Sequence, residues 1–129
     1  MDITHKPKVL LVEDNDVYRK VIKNAMVLSG FDALEAENGL RGLEIARLEK
    51  PDLILADVYM PVMDGMTMLR ELRKDSWGRN VKVVLLTNLS EADRADESFE
   101  QGVYDYLVKS DWKLEDIVNK VKGKLGITT

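Results

Sequence analysis

Apolar and polar positions along this chain follow two periods. Short apolar runs, Lys8 to Val12, Leu53 to Ala56, Val81 to Leu86 and Val103 to Val108, each stop at a polar residue. Between them, apolar residues recur every three or four positions. The first pattern predicts strands buried on both faces, the second amphipathic helices. A mixed run, Phe31 to Ala36, carries Asp32 and Glu35 and predicts a half-buried edge strand.

The first helix opens in Glu13-Asp14-Asn15-Asp16, where Asp14, Asn15 and Asp16 are each suited to cap it. Its face is expected to carry Val17, Val21, Ala25 and Leu28, with Tyr18, Ile22 and Met26 beside them. Ser29-Gly30 stops it. Asn38-Gly39 opens a second helix, with Leu40, Leu43 and Ala46 apolar, and Pro51 closes that region. Asp64 caps a third, Gly65 to about Lys74, with Met66, Leu69 and Leu72 apolar. A fourth, Ser90 to about Gln101, has only Ala92, Ala95 and Phe99 to bury and should be the most weakly held. Ser110 or Asp111 caps a fifth, striped with Leu114, Ile117, Val118, Val121 and Leu125.

Five strand–helix alternations demand a parallel sheet with helices on both faces. The two strands with charged residues, the second and fifth, belong at its edges, which the order 2-1-3-4-5 provides. One α/β domain over residues 1–129 is expected, with its core at about 8–125. In such sheets the site lies at the carboxyl ends of the strands, near the switch between strands one and three.

Composition narrows the chemistry. The chain has no Cys, and its single His is His5, in a polar leader. Disulfides, thiolate metal sites, multi-His sites and Ser-His-Asp catalysis are therefore excluded. No apolar run approaches the ~18 residues of a membrane span, and Met1 to Lys8 lacks a signal-peptide core. The net charge of −4 argues against direct nucleic-acid binding. Arg70, Arg73, Lys74, Arg79 and Lys82 read as a solvated helix face and loop.

The strand ends carry the candidate chemistry. Leu11-Val12 ends in Glu13-Asp14, Leu53 to Ala56 in Asp57, Leu85-Leu86 in Thr87 and Leu107-Val108 in Lys109. Alone, each has an ordinary reading: a helix cap for Asp14, a turn former for Asp57, a loop hydroxyl for Thr87, a solvated ammonium for Lys109. On one edge of one sheet they make a phosphoryl-transfer site. A carboxylate can form an aspartyl-phosphate, adjacent carboxylates suit a hard cation such as Mg²⁺, and a Thr and a Lys can hold phosphoryl oxygens.

With LLVEDN at the first strand end, DVYMPVMDG in the centre, LLTN at the fourth strand and DYLVKS at the fifth, the chain resembles the receiver domains of two-component response regulators. The resemblance runs from about Lys8 to Leu125. It implies a flavodoxin-like fold and a cytoplasmic protein that is not an enzyme acting on other molecules. Asp57 would accept a phosphoryl group from a sensor histidine kinase or a phosphotransfer protein. Asp14 and Asp57 would bind Mg²⁺, with Glu13 acting largely through water and the Tyr59 main-chain carbonyl as a further ligand. Thr87 and Lys109 would contact the phosphoryl group, and Tyr106 would be the switch aromatic. The fourth helix, fifth strand and fifth helix would form the switched face, open to a protein target or to a second copy.

Two positions depart from the family pattern. Asn88 stands where a small residue is common, and Ser110 where a Pro often follows the Lys. Without Pro, a cis Lys109–Ser110 bond would cost about 3 kcal/mol. The large Tyr59 and Leu89 flank the site and are expected to affect water access. The rival readings are a receiver-like module that no longer uses phosphate, and a small phosphatase or nucleotide-binding enzyme. Against the last, Tyr59 stands where a second catalytic Asp would be needed, and no glycine-rich loop follows the first strand.

Overall fold

The computed structural model describes residues 6–87, 105–108 and 113–127; of Thr87 and residues 105–108 only the backbone pairing is described. Five parallel strands, β1 (Lys8–Val12), β2 (Asp32–Ala36), β3 (Leu53–Asp57), β4 (Lys82–Thr87) and β5 (Asp105–Val108), form one sheet in the order β2-β1-β3-β4-β5. The mixed strand β2 and the strand carrying Asp105 lie at the two edges, as their polar residues require. Three helices follow the first three strands: α1 (Asp16–Leu28), α2 (Gly39–Glu49) and α3 (Gly65–Leu72). A C-terminal helix spans Leu114–Lys124. The helix expected from Ser90 to Gln101 lies outside the described residues.

The central strands alternate their side chains between two cores. Leu10, Val12, Ile54, Ala56, Val83 and Leu85 face α2 and α3, and pack with Leu43, Ala46, Met66, Met68, Leu69 and Leu72. Val9, Leu11, Leu53, Leu55, Val84 and Leu86 face the other way, onto Ile22 and Met26 of α1 and Ile117, Val118 and Val121 of the C-terminal helix. Each fully buried Leu or Ile contributes about 1.5–3 kcal/mol, so the two layers clamp the sheet from both sides.

Helix α1 is rotated relative to the expected stripe. Val17 and Leu28 are 76% and 88% exposed, and Val21 is also exposed, whereas Ile22 and Met26 are buried. The two candidate faces differ by one residue, about 100°, and periodicity alone could not choose between them. Asn15 and Arg19 settle the rotation. The Asn15 side chain accepts from the Tyr18 N–H at 2.9 Å, making it the cap among the three candidates. Arg19 is drawn inward by the polar partners described below.

The remaining differences are local. Leu40 is exposed at the first turn of α2. Strand β4 is one residue further along than expected, Lys82–Thr87. The C-terminal helix begins after Lys113, whose N–H donates to Asp116 Oδ2 at 3.0 Å. Ser110 and Asp111, the expected caps, lie outside the described residues. Arg73 donates to the Gly78 and Val81 carbonyls, so this member of the basic cluster braces a loop and is not simply solvated.

Candidate functional site

β1 and β3 are neighbours, paired with Val12 opposite Ala56. The next residues along, Glu13 and Asp57, therefore emerge side by side at the carboxyl edge. The chain leaves β1 toward β2 on one side and β3 toward β4 on the other. This divergence opens the crevice at which open α/β sheets hold their ligands.

Carboxylate oxygens of Glu13, Asp14 and Asp57 all lie within 4.8 Å of one another. Glu13 and Asp57 are only 2% and 6% exposed, while Asp14 is exposed. Three such groups, two of them out of water, repel one another strongly. Hard oxygen donors at this spacing fit one divalent cation of the Mg²⁺ type, bound directly by some and through water by others. Of the residues proposed as ligands, the structure brings these three together.

The loops behind the carboxylates are held by named bonds. Glu13 Oε2 accepts from the Asn15 N–H at 3.0 Å, and the Glu13 N–H donates to the Ala36 carbonyl at 3.0 Å. Arg19, 8% exposed, donates from Nη1 to the Glu13 carbonyl at 2.7 Å. Its other nitrogens reach Glu35 Oε1 at 3.0 Å and Asp16 Oδ1 at 2.6 Å. Glu35 lies in register with Leu11, so it faces α1. Burial would raise its pKa, but hydrogen bonds from Lys20, Lys23 and Arg19 outweigh this and lower it from 4.5 to about 2. Arg19 and Glu35 thus form a brace under the acidic loop.

Sequence reasoning missed this brace. Asp16 and Arg19 form a recognisable i,i+3 pair. Nothing local marks Glu35 as the partner that draws the guanidinium inward.

The loop after β3 is equally constrained. The Val58 N–H donates to the Leu86 carbonyl at 3.2 Å, and the Gly65 N–H to the Val58 carbonyl at 2.8 Å. Asp64 Oδ1 caps α3 by accepting from the Thr67 N–H at 2.8 Å, as expected. Gly65 has no room for a side chain: a Cβ there would overlap the Asp57 carbonyl oxygen and lie 3.2 Å from its carbon. Tyr59 is 45% exposed beside the crevice.

Thr87 ends β4, one residue past Leu86, the partner of Asp57. It pairs with Val108 of β5, and Tyr106 pairs with Leu85. Lys109, the next residue after Val108, lies outside the described residues, as do Asn88, Leu89 and Ser110.

A family model for the response regulator receiver domain matches residues 9–122. The chain is 29% identical over 119 residues to the DNA-binding dual master transcriptional regulator RpaA of Synechocystis, covering 92% of this chain and 49% of that protein. It thus spans about half the length of that regulator. It is 31% identical to sporulation initiation phosphotransferase F of Bacillus subtilis, covering 92% of this chain and 93% of that one. Among solved structures, it resembles the receiver domain of sensor histidine kinase PA1611 from Pseudomonas aeruginosa, with a TM-score of 0.84 at 29% identity. That match covers 95% of this chain and 99% of the other, and that structure has a magnesium ion coordinated in its active site cleft.

Proposed function

This chain belongs to the response regulator receiver domain family, and on that premise we propose that Asp57 is its phosphoacceptor. The observation that carries the reading is the convergence of Glu13, Asp14 and Asp57 within 4.8 Å at the switch point of the sheet. An Asp57 carboxylate oxygen attacks the phosphorus of a phosphohistidine on a sensor kinase or phosphotransfer protein. The new oxygen–phosphorus bond forms as the nitrogen–phosphorus bond breaks, and the imidazole leaves with the electron pair. Asp14, Asp57 and the Tyr59 carbonyl would hold Mg²⁺, with Glu13 acting through water. The ion's contribution is to neutralise charge on the transferring oxygens.

Thr87 and Lys109 take up the phosphoryl oxygens, the hydroxyl by hydrogen bond and the ammonium by charge. The acyl phosphate adds roughly −1.5 to −2 charges at the crevice and biases a two-state element. Tyr106 is the aromatic of that element. The readout is a protein-binding face that includes β5 and the C-terminal helix and is open to a target or a second copy. Any hydrolysis of its own acyl phosphate belongs to the switch, and the place of action is the cytoplasm, where ATP-charged kinases carry the phosphohistidine. The complete set Glu13, Asp14, Asp57, Thr87 and Lys109 speaks against a phosphate-independent module.

Intact mass after incubation with acetyl phosphate tests this. A gain of one phosphoryl group is expected with Mg²⁺, and none without it or in a folded Asp57→Asn variant. Labelling of Asp57→Asn at the parent level overturns the assignment.

A further inference from the structure

Arg19 reaches three separate segments from one guanidinium. Nη1 donates to the Glu13 carbonyl in the acidic loop, Nε to Glu35 of β2 and Nη2 to Asp16 at the start of α1. The residue is buried on a helix that leaves Val17 and Val21 exposed. Fold stability alone does not require this choice, because an apolar side chain in place of a buried ion pair is often as stabilising or more so. The value of the fork lies in what it holds.

It holds the peptide that carries Asp14. The Glu13 carbonyl is the oxygen of the Glu13–Asp14 peptide. Glu13 is fixed elsewhere by its N–H, which donates to the Ala36 carbonyl at 3.0 Å, and by its carboxylate, which accepts from the Asn15 N–H at 3.0 Å. Ala36 ends the same strand that supplies Glu35. Asp14 itself is exposed, and no described residue bonds its carboxylate. Its distance from Asp57 therefore depends on its backbone, and Arg19 holds the peptide on its amino side. A lysine would supply the charge at this point but not three bonds in a fixed fork.

A fixed spacing matters more to one cation than to another. Mg²⁺ demands near-ideal octahedral oxygens at about 2.1 Å, whereas Ca²⁺ accepts a looser and larger set at about 2.4 Å. Carboxylate oxygens within 4.8 Å of one another can close on either ion if the loop yields. We propose that Arg19 is a positioning residue that makes the acidic site select Mg²⁺ over Ca²⁺, by tying the Glu13–Asp14 peptide to β2. This rests on the metal site of the phosphoacceptor reading above.

Charge by itself makes the opposite prediction. If Arg19 acted only as a cation beside three carboxylates, removing it would tighten the binding of both ions. Arg19→Lys keeps the charge and loses the fork, and Arg19→Met loses both. Glu35 retains Lys20 and Lys23 as partners in either variant. Lys20→Gln is the control, because it removes an exposed cation bonded to Glu35 and leaves the fork in place.

Mg²⁺ and Ca²⁺ dissociation constants are measured by calorimetry on each protein without a phosphodonor, with circular dichroism melts beside them. In Arg19→Lys and Arg19→Met the Kd for Mg²⁺ is expected to rise about tenfold, the usual effect of removing a group that orients a metal ligand. The Kd for Ca²⁺ should change by less than about threefold, so the preference for Mg²⁺ falls. Lys20→Gln should keep the parent's preference. Equal weakening of both ions overturns the proposal, as a general loss of the site. So does tightening of both ions in Arg19→Met with no change in Arg19→Lys, which would leave charge alone. So does an unchanged preference in both variants, whatever their melting temperatures, which would leave Arg19 a stabiliser of the fold. If Arg19→Met does not fold, Arg19→Lys decides. A parent that binds neither ion removes the metal site itself, and the proposal with it.

Discussion

Gly65→Ala puts two opposing effects on one residue. Gly65 is the first residue of α3, and alanine is a better helix former by up to about 1 kcal/mol. Against this, the added Cβ would overlap the Asp57 carbonyl oxygen and sit 3.2 Å from Val58 Cα. The peptide between Asp57 and Val58 cannot simply turn away. Its N–H is tied to the Leu86 carbonyl, and the next peptide along is tied by the bond from Gly65 N–H to the Val58 carbonyl. Overpacking against fixed backbone costs about 2–3 kcal/mol, and weakening the Gly65–Val58 bond adds about 1. The net expectation is a loss of about 2–3 kcal/mol, or about 10 °C in Tm for a domain of this size. Gly123→Ala supplies the control, because a Cβ there meets nothing within 4 Å and only the helix gain of about 0.5–1 kcal/mol remains. Urea unfolding followed by circular dichroism should therefore move the two midpoints in opposite directions at unchanged m. The displaced atom belongs to Asp57, so Mg²⁺ binding by calorimetry should weaken in Gly65→Ala and not in Gly123→Ala. If Gly65→Ala is as stable as the parent, the contact between α3 and the end of β3 is not the constraint described here.

Two further outcomes follow from the charges. Asp14→Asn removes one of three clustered carboxylates and should stabilise the protein in chelator by about 1 kcal/mol. In saturating Mg²⁺ the parent should overtake it, because only the parent gains the full linkage stabilisation; thermal melts in both conditions check the crossing. Glu35 has its pKa lowered to about 2, so it binds a proton more weakly folded than unfolded. Its contribution is complete above pH 4.5 and is lost as the pH falls from there through about 2. The full shift corresponds to about 3 kcal/mol, reduced by the exposure of Lys20 and Lys23 to about 1–2. Parent and Glu35→Gln should converge in stability by that amount between pH 5 and pH 2 in urea titrations; parallel curves would contradict the brace.

The order of the strands and of the described helices, the edge positions of β2 and β5, and the residues at the carboxyl ends of β1 and β3 were legible in the amino-acid sequence. The reason is local. A strand buried on both faces tolerates no polar residue, so the first one after an apolar run, Glu13 or Asp57, marks where the strand leaves the core. Helix starts at Asn38 and Asp64 were legible because a capping side chain bonds only its own first turn.

Other features depend on distant partners. The face α1 buries was decided by Arg19, which Glu35 of the neighbouring strand draws inward, and either of two adjacent stripes satisfies the helical period. The tie between Met63 and Gly39 likewise joins two different loops. The residues that make the site were readable one by one, but their convergence was set by the register of β1 against β3. Local pattern determines which residues leave the core and where. Only the packed sheet, through contacts between segments far apart in the chain, decides which of them meet.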